Sequence, residues 1–510
     1  MRKKASKIKT SIHIIILFLL SLIILATSYI KICFGNETID EFIFYLTNGV
    51  GNGDMGIYIV ALEMCFPFFL ILFPFIISLF YNILIDKNII MKFKNKSIKI
   101  YPIDFIRNHK IIFTTLIGIV SLTIAILNLN IDDYYKNVMS ESTFIKDNYV
   151  MVPENVTFNE KRNLIYIVVE SLETTFFTKE QGGEWDYAVT PELYRLLNDE
   201  DSISFSATDK AGGMSVLSGA SWTTAAIVAN STGLPFKIPI QRNSYHSDNF
   251  MNGAYAIGDL LKDHGYYNEV ISGAKTDFGG IQEFYTKHGD YSIIDINSLE
   301  DYGFEMDKSD KGPWGFNDKY LFEIAKKRLN IVSKKNKPFN MTLISIDNHP
   351  NDGFIGDYSV DDYDVRYENV YATDSKLIYE FIKWVKQQDF YEDTTIVIVG
   401  DHLNMQTEFF KGKEEDNRFI YNVIINSAVT TNNTKNRIFT AVDMYPTTVA
   451  ALGGNIKGNQ LGLGINLFSE EQTLAEKYGL AELNSNIEKR SPFYNTYILG
   501  PDFFIISARY

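Results

Sequence analysis

The sequence predicts an α/β fold in which helices sandwich a mostly parallel sheet, preceded by an α-helical transmembrane region. Two observations predict the sheet: short apolar runs have the length of strands, and helix-like segments alternate with them after residue 162. A third observation predicts the membrane region, because the first quarter of the chain contains three apolar stretches of membrane-crossing length. We therefore expect two parts with different surroundings.

The membrane region is predicted to cover residues 1–130. Its three apolar stretches lie at about 11–30, 57–85 and 111–129, and each would cross roughly 30 Å of hydrocarbon as a helix. The first stretch is too long for a removable signal peptide and has no small-residue cleavage site. We therefore expect it to be retained as an anchor.

Loop charges predict the orientation of the three spans. The charged residues of the segment 1–11 are all basic, and the 86–110 loop has seven basic residues against two acidic ones. The 31–56 loop is mainly acidic. Because short basic loops stay in the cytoplasm, we predict a multi-pass cell-membrane protein with a cytoplasmic amino terminus and an extracytoplasmic chain after residue 130.

Charge and cysteine content narrow the possible partners and the source of stability. The chain has 48 basic and 62 acidic side chains, which is a formal net charge of −14. Nucleic acid is not an expected partner, because its phosphates require a basic surface. Both cysteines, Cys33 and Cys65, lie in or beside the predicted spans. The outer part therefore has no disulfide and must rely on a packed core.

Three segments are predicted beyond the membrane region. Residues 131–161 form a linker, residues 162–470 form the extracytoplasmic catalytic domain, and residues 471–510 form a carboxyl-terminal extension without an assigned role. The catalytic domain has strand-like runs at 164–169, 268–272, 340–346, 394–399 and 420–425, and helix-like segments at 255–264, 318–329 and 368–388. This order predicts a mostly parallel sheet with helices on both faces.

Polar residues follow two of the predicted strands at the point where each strand ends. Glu170 follows the run 164–169, and Asp401 and His402 follow the run 394–399 after a glycine that would permit a sharp turn. Parallel sheets build sites at the carboxyl ends of their strands, and carboxylate and imidazole groups are ligands for cations such as Zn²⁺ or Mn²⁺. These residues alone leave other roles open. Glu170 could cap a helix or stabilise a turn, and Asp401 could accept hydrogen bonds from loop amides while His402 packs beside it.

Thr223 and Thr224 open an apolar segment at 225–229 that predicts a helix amino terminus. The unpaired amides and the dipole at such a terminus attract an anion, so a threonine there is placed to attack a phosphorus atom and to have its adduct stabilised. A threonine is also a common helix cap. His349 follows the run 340–346 and is a candidate donor to a phosphate oxygen or a leaving alkoxide, with a solvated loop histidine as the alternative.

Seven short segments, taken together, resemble one known group of enzymes. They are VESLE at 169–173, SWTT at 221–224, TGLP at 232–235, DNH at 347–349, GDHLNM at 400–405, DMYPT at 443–447 and LGLGINLFS at 461–469. Their order resembles that of the membrane-anchored phosphoglycerol transferases of the sulfatase-like, alkaline-phosphatase superfamily. The likeness is greatest to the enzymes that modify periplasmic glucans, and more distant to lipoteichoic acid synthase.

The resemblance implies a site and a reaction. Glu170, Thr223, Asp401 and His402 would bind one divalent metal, usually Mn²⁺ in such enzymes, with Mg²⁺ or Zn²⁺ as alternatives. Thr223 would be the nucleophile, and His349 would contact the phosphoglycerol. The group would pass from phosphatidylglycerol to a saccharide or glycopolymer through a phospho-threonine, with release of diacylglycerol. The metal would lower the pKa of the hydroxyl and neutralise charge at phosphorus.

The chain also departs from parts of this pattern. Lipoteichoic acid synthases carry an Asn-Arg pair in the segment that corresponds to residues 278–280, and they usually have five spans, so both departures argue against polymer synthesis. A sulfatase-like hydrolase would need a C/S-x-P-x-R segment, which does not precede Thr223. Phosphoethanolamine transferases commonly have disulfides in their outer domain, whereas this one has no cysteine. A catalytically inactive glycopolymer-binding module would not need to retain all four ligand types.

Overall fold

A computed structural model of the chain describes residues 2–34, 43, 55–81, 89–93, 96–100, 102–151, 155–238, 250–350, 353–406, 409–413 and 417–500. The chain divides into two compact units. One is formed by residues 1–39 and 54–135, and the other by residues 40–53 and 136–510.

The first unit is mainly helical. Its elements are α1 (Arg2–Phe34), α2 (Met55–Tyr81), β1 (Ile89–Phe93), β2 (Lys96–Ile100), α3 (Pro102–Asn108) and α4 (Lys110–Asn128), and the two strands pair antiparallel. Large apolar side chains of α4 such as Ile111 are exposed, as is usual for a helix that faces lipid.

Two helical stretches in the described part of the chain are long and apolar enough to cross a membrane. They are Lys9–Lys31 and Lys110–Asn128, which correspond to the first and third predicted spans. The second predicted span falls on α2, where the apolar stretch Cys65–Tyr81 is shorter, and residues 82–85 lie outside the described residues. The structure therefore supports a membrane protein.

The second unit alternates helices and strands. After α5 (Ile131–Met139), its elements are α6 (Phe144–Asn148), β3 (Val156–Phe158), β4 (Asn163–Val169), α7 (Pro191–Leu197), β5 (Ser202–Ile203), α8 (Thr223–Thr232), α9 (Ile257–Asp263), β6 (Tyr267–Ser272), α10 (Ile281–Lys287), β7 (Ser292–Ile294), α11 (Asp318–Val332), β8 (Phe339–Ile344), α12 (Arg366–Val385), β9 (Thr394–Gly400), β10 (Asn422–Ile425), α13 (Ala441–Ala451), β11 (Gly454–Ile456), β12 (Gln460–Leu461), β13 (Gly464–Ile465), α14 (Leu474–Tyr478) and α15 (Leu480–Glu488). Short 3₁₀ turns and a π-helical turn, Tyr494–Ile498, complete it.

A seven-stranded sheet forms the centre of this unit. Its strand order is β5-β10-β9-β4-β8-β6-β7. The neighbours from β9 to β7 pair in parallel, and β10 pairs antiparallel with both β9 and β5. The prediction of a mostly parallel sheet is therefore confirmed.

Helices cover both faces of the sheet, as predicted. Alternate residues of β4 enter two separate cores: Tyr166 and Val168 pack in the core that contains α8 and α13, and Ile165 and Ile167 pack in the core that contains α11 and α12. A strand buried on both faces needs a continuous apolar run, which is why 164–169 has no polar alternation. The elements that were not predicted include the short strands β5 and β7 and the helices α7, α10 and α13.

The carboxyl-terminal residues up to 500 pack against the same core as α8. Leu483, Ile487 and Tyr494 are buried in it. Arg490 donates its backbone N–H to the carbonyl of Ser140 at 2.9 Å and accepts from the N–H of Ser142 at 2.9 Å. The predicted linker and the predicted extension are therefore joined by backbone hydrogen bonds.

Candidate functional site

The register of the central sheet brings two carboxylates together. Strands β4 and β9 pair in parallel with Val169 opposite Gly400, so Glu170 and Asp401 are the next residues on neighbouring strands. Both side chains are buried, as is His402. This proximity depends on strand pairing across more than two hundred residues, which the separate motifs do not contain.

The three side chains form a compact group of possible metal ligands. Nε2 of His402 lies 3.4 Å from Oε1 of Glu170 and 3.3 Å from Oδ2 of Asp401. One ligand atom from each residue lies within 4.8 Å of the other two. These distances suit a single cation held between one nitrogen and two carboxylate oxygens.

Hydrogen bonds fix the tautomer of His402 and leave its second nitrogen for a ligand. Nδ1 lies 2.8 Å from the carbonyl oxygen of Leu403. A carbonyl oxygen can only accept, so Nδ1 carries the proton and donates it. In the neutral ring, the lone pair of Nε2 then faces the carboxylates of Glu170 and Asp401, which is the arrangement typical of a metal-binding histidine.

Asp401 has one satisfied oxygen and one free oxygen. Its Oδ1 accepts the backbone N–H groups of Ser171 and His402, both at 2.7 Å. Its Oδ2 is buried and has no hydrogen-bond partner among the described residues. Burial, and then the charge of Glu170, raise the pKa of Asp401 to about 7. A buried free oxygen of this kind favours a bound cation or proton.

The pKa of His402 responds to the same carboxylates. Burial alone would lower the pKa of its imidazole, but the charges of Asp401 and then Glu170 outweigh burial and raise it above the usual value. The pocket therefore attracts positive charge.

Thr223 begins α8 and directs its hydroxyl at the carboxylate cluster. The N-cap residue is Trp222, and no side-chain cap bond is formed. The hydroxyl of Thr223 instead donates to Oε2 of Glu170 at 3.3 Å. The cap role left open by the sequence is thus not the one observed, and the half-buried hydroxyl lies beside the unpaired amides of the helix amino terminus.

Ser171, for which the sequence predicted no role, holds both carboxylates. Its hydroxyl donates to Oε1 of Glu170 at 2.6 Å, while its backbone N–H binds Asp401. The residue is fully buried and has a φ of 51°, a left-handed conformation that costs energy for a non-glycine residue. The hydroxyl of Ser345, which directly follows β8, accepts the N–H of Glu170 at 3.0 Å. Neither role has a signal in local sequence.

Position 400 requires a glycine for a reason other than the sharp turn that the sequence predicted. It is the last residue of β9. A Cβ atom there would lie 1.9 Å from the carbonyl oxygen of Leu172. The close approach of two backbones, rather than a left-handed turn, therefore requires a glycine immediately before Asp401.

His349 follows β8, which is the neighbour of β4, and is half-buried. Its Nδ1 lies 2.5 Å from the carbonyl oxygen of Pro350, and its ring packs 4.5 Å from that of Trp314 between centroids. Burial lowers the pKa of His349 to about 4, and the charge of His402 contributes to the shift. The ring is therefore neutral near pH 7 with its proton on Nδ1, so Nε2 is an acceptor. The predicted donor role would require a second proton.

Two further buried residues, one in the motif at 169–173 and one at the end of α10, have structural roles. Glu173 is buried and forms a two-pronged ion pair with Arg418, with N···O distances of 2.8 and 2.6 Å. His288 is buried between Oδ2 of Asp259 and the carbonyl of Phe250, both at 2.9 Å. These contacts use the polar atoms of both side chains, so neither belongs to the cluster.

Comparisons with known proteins identify the family of the chain. A model of the sulfatase family matches residues 162–454, which is more than half of the chain. Phosphoglycerol transferase I of Salmonella choleraesuis (strain SC-B67) is 30% identical over 339 residues, covering 65% of this chain and 42% of the relative. The protein of the same name from Salmonella typhi has the same identity and coverage. The chain thus spans less than half the length of these curated relatives.

Two solved structures are also similar. Lipoteichoic acid synthase LtaP from Listeria monocytogenes is 21% identical with a TM-score of 0.48, covering 64% of this chain and 80% of that one. An alkaline phosphatase superfamily protein from Vibrio parahaemolyticus is 20% identical with a TM-score of 0.48, covering 65% of this chain and 78% of that one.

Proposed function

Because this chain belongs to the sulfatase family, we propose that it transfers phosphoglycerol from phosphatidylglycerol to an extracytoplasmic saccharide or glycopolymer. The observation that carries the proposal is the hydroxyl of Thr223, which lies at a helix amino terminus and donates to Glu170 beside Asp401 and His402. The head group is inferred from the relatives named phosphoglycerol transferase I.

The residues present fit a divalent cation. Oδ2 of Asp401 is buried without a hydrogen-bond partner in the described part of the chain, and the tautomer of His402 turns a lone pair toward both carboxylates. We assign Glu170, Thr223, Asp401 and His402 as the ligands and Mn²⁺ as the metal, with Mg²⁺ and Zn²⁺ as alternatives. Such a cation would lower the pKa of the Thr223 hydroxyl and offset charge on the phosphate oxygens.

In the first half of the reaction, Oγ1 of Thr223 attacks phosphorus. The bond between phosphorus and the diacylglycerol oxygen breaks, and the proton lost by Thr223 balances the proton gained by diacylglycerol. The unpaired amides of the first turn of α8 are available to bind the phosphate oxygens of the phospho-threonine.

In the second half, a hydroxyl of the acceptor attacks the same phosphorus and Thr223 regains its proton. His349 is suited to receive the acceptor's proton, because its neutral ring has an unprotonated Nε2. We assign His349 to the phosphoglycerol and acceptor side of the site.

The membrane region would keep the site near its lipid donor. We propose three spans, a cytoplasmic amino terminus and an extracytoplasmic catalytic domain at 162–470, in line with the basic loops. Protease added to sealed, right-side-out vesicles should then cut the segment after residue 130 and spare the 86–110 loop. Protection of the second unit would contradict this orientation.

The donor half is tested with the full-length protein in detergent, Mn²⁺ and phosphatidylglycerol that carries a fluorescent acyl chain. We expect labelled diacylglycerol from the wild type and none from Thr223→Ala, while Thr223→Ser, which keeps a hydroxyl, should retain activity. Intact-mass analysis should find a glycerophosphate adduct on the wild type and on Thr223→Ser but not on Thr223→Ala.

The other outcomes separate the alternatives. Cleavage of labelled phosphatidylethanolamine in place of phosphatidylglycerol would indicate that the transferred head group is phosphoethanolamine. Cleavage of a sulfate ester alone would indicate a sulfatase-like hydrolase. Metal binding without cleavage of any substrate would indicate a glycopolymer-binding module. Full activity of Thr223→Ala would remove Thr223 from the nucleophile role.

A further inference from the structure

A second group of buried carboxylates lies outside the site described above. Asp318 begins α11, Asp347 follows β8, and Asp374 lies inside α12. All three are at most 3% exposed. One carboxylate oxygen of each lies within 4.8 Å of the other two. Three separate elements therefore contribute acidic groups to one point in the core.

Part of this cluster is satisfied by hydrogen bonds. The two oxygens of Asp318 accept the backbone N–H groups of Ile346 and Asp347 at 2.8 and 2.9 Å. Oδ2 of Asp347 accepts the N–H of Asp318 at 3.1 Å and the hydroxyl of Tyr358 at 2.6 Å. Oδ1 of Asp347 has no hydrogen-bond partner among the described residues. Asp374 has contacts with the side chains of Asp318 and Asn348.

The amide of Asn348 provides an independent observation. This side chain is completely buried, and its oxygen has no hydrogen-bond partner among the residues that the structure describes. Burial raises the pKa of Asp374, and a hydrogen bond from the nitrogen of Asn348 partly offsets that shift, so the amide is directed into the cluster. A buried amide oxygen without a partner is costly, and a ligand at this point would use it.

Charge in the cluster is not balanced by a basic side chain. In the described part of the chain, no Lys, Arg or His forms an ion pair with Asp318, Asp347 or Asp374. Burying carboxylates without a counter-charge is strongly unfavourable. Either shared protons or a cation must therefore offset them.

We propose that Asp318, Asp347, Asp374 and the amide oxygen of Asn348 form a second divalent-cation site, separate from the site at Glu170. All its donors are oxygens, which favours a hard cation such as Ca²⁺, Mg²⁺ or Mn²⁺ over Zn²⁺. Asp347 and Asn348 directly precede His349, so the cation would anchor the segment that carries this histidine to α11 and α12. The site goes beyond the proposed function, because its occupancy is independent of the reaction.

The test counts bound metal on the full-length protein in detergent after equilibrium dialysis against Ca²⁺, Mg²⁺ or Mn²⁺. We expect about two equivalents of Mn²⁺ per chain in the wild type. The double variant Glu170→Ala/His402→Ala should keep about one equivalent, and Asp374→Asn added to it should lose that one. Asp295→Asn is the matched control, because Asp295 is equally buried but accepts hydrogen bonds from Thr276 and Asn297.

A second measurement keeps the test valid if Asp374→Asn does not fold. Tb³⁺ should emit when the tyrosines are excited in the Glu170→Ala/His402→Ala variant, because the hydroxyl of Tyr358 contacts Asp347. Excess Ca²⁺ should quench this emission. Absence of both metal and Tb³⁺ emission in that variant would mean that shared protons alone balance the cluster, and the proposal would be wrong. No lipid enters either measurement, so this result is independent of the transfer assay.

Discussion

The backbone N–H of Ser171 donates to Oδ1 of Asp401 at 2.7 Å, although the two residues are 230 positions apart in the chain. The hydroxyl of the same serine donates to Glu170. One residue therefore orients carboxylates from two neighbouring strands, and it does so with a left-handed backbone. Groups that orient metal ligands are often nearly as important as the ligands themselves.

Ser171→Ala should weaken metal binding at the Glu170 site by about 10-fold or more, because it removes the hydroxyl that orients Glu170. Ser171→Gly should weaken metal binding to a similar extent. Its folded state should be more stable than that of Ser171→Ala by about 1 kcal/mol, because glycine accepts a positive φ without strain. Calorimetric titration with Mn²⁺ and denaturant unfolding measure the two effects. Equal stability of the two variants would show that the left-handed conformation is not costly here.

His402→Ala should lower the affinity for metal by about 100-fold, because it removes the nitrogen ligand of the cluster. His264→Ala is a matched control, since His264 also places Nδ1 on a backbone carbonyl, that of Leu260, at 2.8 Å. His264 lies outside the cluster, so the His264→Ala variant should bind the metal with the same affinity as the wild type. Equal metal content in His402→Ala and the wild type would exclude His402 as a ligand.

Gly400→Ala should destabilise the second unit by about 3 kcal/mol or more, because the new methyl group would collide with the carbonyl of Leu172. The shift of β9 should also displace Asp401 and weaken metal binding. All four tryptophans lie in the second unit, so their fluorescence during denaturant unfolding reports on this unit. Gly312→Ala, whose nearest neighbour would be 3.7 Å away, should change stability by less than about 0.5 kcal/mol.

Asp443 should make stability fall as pH rises. Burial raises its pKa to about 7, against the opposing amide bonds from Ile465 and Thr440. The folded state therefore binds this proton more tightly than the unfolded state does, and protonation of Asp443 stabilises the fold. The stabilisation is complete below about pH 4 and is lost by about pH 7.

Asp443→Asn removes this titration. The unfolding free energy of the wild type relative to the variant should therefore fall by up to about 1.4 kcal/mol per pH unit across that window. Denaturant unfolding at several pH values measures the difference, and a difference that does not change with pH would contradict the prediction.

Several elements follow from local sequence. Because β4 and β9 are buried on both faces, their apolar runs predicted them to within one residue, and α11 was predicted from its first residue. The short strand β7 and the edge strand β5 were missed, since two or three residues are too few to show a period. The boundaries of α12 differ by two or three residues, because helix ends depend on capping and packing.

The sequence by itself determined the α/β class, the apolar amino-terminal region and the residue types of the site, because local hydrophobic periodicity and motif order record them. Only the tertiary structure decided how these residues meet. The parallel register of β4 and β9 makes Glu170 and Asp401 neighbours, hydrogen bonds to carbonyl groups set the tautomers of His402 and His349, and close backbone packing explains Gly400. The register and the Gly400–Leu172 contact join residues far apart in the chain, so they depend on packing free energy. The two tautomers are set by neighbouring carbonyl groups, but only the folded backbone places those groups within reach of the rings.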